Sequence, residues 1–114
     1  MDINLIKDPI SKEKLHKIVA ENYEDMVKGV VDVRKKILAL GGELHADAEA
    51  FLLQNGSKQA DLWGFNIYID KPKNDRIEFN SFINIRPSQG NRSLDIQSQE
   101  LKNQIRQIIN RLIP

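Results

Sequence analysis

A chain of 114 residues is the size of one domain, long enough for a single core and too short for two. Apolar residues make up 40% and charged residues 29%, a balance that excludes a disordered chain. The formal charge of +1 supplies no field to hold a phosphate backbone or an anionic membrane, and the absence of cysteine excludes disulfides, thiolate metal sites and cysteine nucleophiles.

In chain order, INLI at 3–6 predicts a short edge strand, ended by Asp8-Pro9 because the residue before proline is pushed out of helix. Ser11 is placed to cap a helix over 11–22, with Leu15, Ile18 and Val19 along one face. Residues 26–40 fit either a helix or a hairpin. The cluster of valines favours two strands turning at Arg34-Lys35-Lys36 and closed by Gly41-Gly42. Ala46 to Gln54 are good helix formers, stopped by Asn55-Gly56. Residues 62–69 alternate, with Trp63, Phe65, Ile67 and Ile69 on one face, and so do 77–86 beyond the turn residues DKPKND. Matching the apolar faces of these two strands sets Ile67 opposite Phe79, Asn66 opposite Asn80, and Gly64 opposite Phe82. PSQGNRSLDIQ reads as loop, and Ser98 caps a last helix striped by Leu101, Ile105, Ile108, Ile109 and Leu112.

The sum is a single α+β domain over 1–114: helix, hairpin, helix, hairpin, helix, with the edge strand in front. An antiparallel sheet of about four strands is expected, with helices on one face and the other left freer for a ligand. No apolar run nears the roughly 20 residues of a bilayer span, and MDINLIKDPI lacks the basic head and apolar stretch of a signal peptide. The expectation is a cytoplasmic protein without a membrane partner.

Two segments carry candidate chemistry. In GGELHADAE, Glu43, His45 and Asp47 share a face if extended, a set suited to a divalent cation or to acid–base work. The bland alternative is that these acids favour the positive end of the helix that follows, with His45 or Asp47 as its cap. In NIRPSQGNRS, Arg86 and Arg92 bracket Ser88, Gln89 and Asn91 around Gly90, an arrangement able to wrap a phosphate or carboxylate. Its bland alternative is a structural network of these arginines with the acids at 43, 47 and 49. Asn66, Asn80 and Asn84, with Arg86, fall on one face in the expected register. Asparagine runs against strand propensity, and such departures gather at functional sites. Five basic against two acidic residues over 86–114 make only a weak case for a nucleic-acid groove, because little aromatic surface accompanies them, and nucleic acid is not the expected partner.

The strings GELHADAE and INIRPSQGNRS make the chain, over about 26–112, similar to a family of small bacterial and archaeal proteins known as a domain of unknown function. The resemblance covers Glu43, His45, Asp47, Glu49, Trp63, Asn66, Asn84, Arg86, Ser88, Gln89, Asn91 and Arg92 and implies no activity. It also implies a glycine in the 34–36 turn, where this chain has Lys36. Three functions fit these two segments. The first is a binding protein for a small anionic ligand, with both segments meeting at one pocket. The second is a metal-dependent hydrolase using Glu43, His45 and Asp47. The third is a non-catalytic interaction protein, a homodimer among its forms.

Overall fold

A computed structural model describes residues 2–22 and 25–114. Among them the chain forms strands β1 (Ile3–Ile6), β2 (Met26–Asp32), β3 (Ile37–Gly41), β4 (Leu62–Tyr68) and β5 (Ile77–Glu78), and helices α1 (Lys12–Glu21), α2 (His45–Gln54) and α3 (Gln99–Leu112). The local signals act as their chemistry dictates. Ser11 and Ser98 accept the amides of Lys14 and Leu101 at 3.1 Å each, satisfying one orphan donor at each helix start. The ambiguous valine segment is a hairpin. Asp32 holds its turn by accepting the amides of Arg34 and Lys35, and Lys36 takes the left-handed conformation at φ 58°. The position where the resemblance implied glycine is therefore one that favours glycine.

The five strands make one antiparallel sheet in the order β1-β3-β2-β4-β5, one strand more than expected because the edge strand joins it. Helices cover both faces, which corrects the expectation of an open one. On the first face Leu15 and Ile18 of α1 and Ile105, Ile109 and Leu112 of α3 pack on Val27, Val31, Leu38, Leu40, Phe65 and Ile67. On the second, Ala48 and Leu52 of α2 pack on Val30, Ala39 and Leu62. Val30-Val31 and Leu38-Ala39-Leu40 are buried on both sides, so their continuous apolar runs, rather than alternation, were the sign of a sheet covered twice. Each valine and leucine among them contributes about 1.5–3 kcal/mol by leaving water.

The largest departure lies after β4. Pairing with β5 sets Asn66 opposite Glu78 and Ile67 opposite Ile77, two residues from the expected register, and the strand stops at Glu78 instead of running to Arg86. Phe79 turns into the core, Ser81 bonds Leu94 across the loop, and Phe82–Asn84 and Pro87–Gln89 form single 3-10 turns. Gly64 does not face Phe82. A side chain at position 64 would meet Ser81 Oγ at 2.6 Å, and the ring of Phe82 is 82% exposed.

The edge of β4 left bare by the missing strand is closed by side chains. Gly64 donates its N–H to Asn84 Oδ1 at 2.8 Å, and Asn84 Nδ2 donates back to the Gly64 carbonyl at 3.0 Å. One side-chain amide thus offers the donor and acceptor that a neighbouring peptide would have offered. Two residues along, the Leu62 carbonyl accepts from Arg86. The polar residues of INIRPSQGNRS are a surrogate strand.

Candidate functional site: a groove at the start of helix α2

The arginine loop is committed to the protein itself. Arg86 donates to the carbonyls of Ile83, Gln59 and Leu62 and to Gln89 Oε1, and its guanidinium lies 4.1 Å over the Trp63 ring. Burial lowers its pKa, an effect opposed by the charge of Glu49. Asn91, also buried, donates to the carbonyls of Asn84, Ser93 and Asp95 and accepts the amide of Gln97. Gln89 bonds the Ala60 carbonyl, while Ser88 and Arg92 lie on the exposed outer side. With its donors spent on carbonyls, Arg86 is a staple between 59–62 and 83–89 rather than a free anion clamp.

The acidic segment is also divided. Asp47 Oδ2 accepts the Leu44 amide at 3.0 Å and so caps α2, while Glu43 points to solvent. His45 turns the other way, into the sheet, where its Nε2 lies 2.9 Å from the Phe65 carbonyl. A carbonyl only accepts, so Nε2 carries the proton and Nδ1 of the neutral ring is left as an acceptor. Burial lowers the His45 pKa, the Phe65 bond and the Asn66 side chain oppose that, and Lys28 adds to it. Among the described residues no three of His, Cys, Asp and Glu gather where they would hold a metal ion. Nor do the two segments close an ion-paired network. Glu49 is near enough to act on Arg86, yet the ion pair among the described residues is Lys102 with Asp95 at 3.1 Å, on the far loop.

What the fold assembles instead is a groove of about 660 Å³ between the first turn of α2, the ends of β2 and β4, and the segment Asn80–Ile83. Leu44, 61% exposed, and Phe82 form its rim; Met26, Ala46, Ile83 and Leu94 make its apolar walls. His45, Asn66 and Asn80 supply polar atoms, with Lys28 and Glu78 as one charge of each sign. Asn66 is 5% exposed. Its Nδ2 donates to Glu78 Oε1 at 3.0 Å and to the Asn80 carbonyl at 3.4 Å, which fixes the amide's orientation and leaves Oδ1 buried without a partner. Shallower hollows flank α1, but none of the buried unpaired atoms found among the described residues lies in their walls.

Of the residues singled out in the sequence, the structure brings His45, Asn66 and Asn80 together and sends Asn84, Arg86, Gln89 and Asn91 into the frame. Met26, Lys28, Leu44 and Phe82 were missed. Phe82 carried a signal: an aromatic residue among asparagines on the polar face of an alternating run.

Fold and groove together describe an α+β domain, a five-stranded antiparallel sheet between helices with a recess where α2 begins. The chain belongs to the family described as Protein of unknown function (DUF5674), whose model matches residues 4–112. No curated protein and no solved structure matches it. No helix among the described residues is long and apolar enough to cross a membrane.

Proposed function

We propose that the protein is a binding protein for a small molecule, held in the groove at the start of α2. The observation that carries the reading is the buried Oδ1 of Asn66, a residue of the groove's wall, left without a partner beside a mostly apolar recess. Such an atom costs about 1–3 kcal/mol in an isolated fold, an expense that a ligand's hydrogen bond recovers. An apolar pocket with a few convergent polar groups is the form small-molecule sites take.

The test is a thermal-shift screen of a library of neutral heterocycles, amides and sugar phosphates, run on the native chain and on Ala46→Trp, which fills the recess from an exposed position of α2. A ligand at 100 times its Kd should stabilise the native chain by about 2.7 kcal/mol. True ligands of the groove lose their effect in Ala46→Trp. A library without hits, or hits indifferent to the plug, rejects the reading.

A second reading rests on the exposure of Phe82, Leu44, Ile85 and Leu53, large apolar side chains that protein contacts commonly cover. It makes the Leu44 and Phe82 rim of the groove, with Ile85 and Leu53 outside it, a surface for self-association. Light scattering across micromolar concentrations decides it, and a strict monomer throughout rejects a constitutive dimer.

A further inference from the structure

We infer that the groove selects a neutral molecule with an apolar body and an N–H₂ group, a primary carboxamide or an amino-substituted aromatic ring, and that Asn66 Oδ1 is the acceptor that reads this group. The inference rests on the groove being a ligand site and adds what the site prefers.

The Asn66 amide has one orientation open to it. Turning its amide over would set Oδ1 against the Glu78 carboxylate and the Asn80 carbonyl, two acceptors facing a third, so Nδ2 stays on that side and Oδ1 on the opposite one, where it has no hydrogen-bond partner. His45 is held in the same way. With the Nε2 proton on the Phe65 carbonyl, its second nitrogen in the neutral ring is another acceptor in the same wall. A ligand answering them must bring donors, and an N–H₂ group carries two.

The charge of the ligand follows from the wall. Lys28 and Glu78 are its charged side chains and their formal charges cancel, while Arg86, the cation a carboxylate or phosphate would seek, is turned away onto carbonyls and Trp63. Neither an anion nor a cation finds a net countercharge, and a charged group entering an apolar recess without one pays for its lost hydration. The body of the ligand is apolar because Met26, Leu44, Phe82 and Ile83 make most of the surface it would touch.

The experiment uses four probes of one size on the native chain, followed by two-dimensional amide NMR titration to 10 mM: benzamide, acetophenone, benzylamine and benzoate. Benzamide and acetophenone share ring and carbonyl and differ in N–H₂ against CH₃. A buried polar site rejects an analogue that lacks its hydrogen bond, so benzamide should bind about tenfold or more tightly than acetophenone, shifting the side-chain amide of Asn66 and the backbone amides of Lys28 and Ala46. In Asn66→Ala the preference should vanish. If that variant does not fold, the four native titrations decide alone. Equal binding of benzamide and acetophenone overturns the inference and leaves an unselective apolar groove. Tightest binding by benzoate or by benzylamine overturns it in favour of a charged ligand. Binding by none of the four overturns it, and the proposed site falls separately if the library screen also fails.

Discussion

Asn84 gives the sharpest test of the surrogate strand, because its side chain is fully buried and each polar atom of it is used. Asn84→Ala leaves the Gly64 N–H and C=O without partners inside the fold and takes one of two donors from the Leu94 carbonyl, which keeps the Ser81 amide. Two buried groups at about 1–3 kcal/mol each, with a small void beside them, put the cost near 4 kcal/mol. That is a large share of the roughly 5–15 kcal/mol that holds a domain together, and for this chain length it lowers Tm by about 15 °C. Asn84→Asp is the control. It keeps an acceptor for the Gly64 amide but sets a carboxylate oxygen against two carbonyls, so it should be no better than alanine. Equilibrium urea unfolding measures both, with the m-value unchanged, and hydrogen exchange of the Gly64 amide reports the local loss. A cost under about 1 kcal/mol for alanine, or full tolerance of aspartate, would refute the idea that this amide stands in for a strand.

Arg86→Ala strips donors from the carbonyls of Gln59, Leu62 and Ile83 and uncovers Trp63, costing about 2–4 kcal/mol in urea unfolding; Arg86→Lys should recover less than half, since one ammonium cannot span the fork. Lys36→Gly should raise stability by about 0.5–1 kcal/mol, because a left-handed backbone strains any residue with a Cβ, and a loss of stability would count against the turn geometry. The His45 pKa is lowered on folding, so the unfolded chain takes up the proton first. Stability attributable to His45 is complete above the unfolded value of 6.5 and declines as pH falls below it toward the lowered folded value. Melting temperatures from pH 8 to 5 should therefore fall more steeply for the native chain than for His45→Gln, and parallel curves would exclude the effect.

Much of the fold is legible because the physics behind it is local. Ser11 and Ser98 cap the amides three residues on, the stripe from Leu101 to Leu112 buries one side of α3, and Asn55-Gly56 ends α2 with Gly56 at φ 96°. Each of these depends on neighbours within one or two turns. The run from Ile77 to Arg86 shows where that reasoning stops. Its alternation is that of a strand, but the partner decides whether a strand forms, and here Asn84 and Arg86 reach Gly64 and Leu62, 20 and 24 residues away, with side chains in place of backbone. The same polar residues that read as a ligand loop were answering a sheet edge, and periodicity carries no record of that choice. The groove is likewise a product of distance: His45 and Asn66 are singled out by their chemistry, but only the packing of α2 over β4 sets both in one wall and leaves Asn66 Oδ1 unpaired. Composition and periodicity determined most of the helices, strands and core outside 79–86; tertiary structure alone decided which polar atoms were used up and which were left over, because hydrogen-bond satisfaction is settled between segments far apart in the chain.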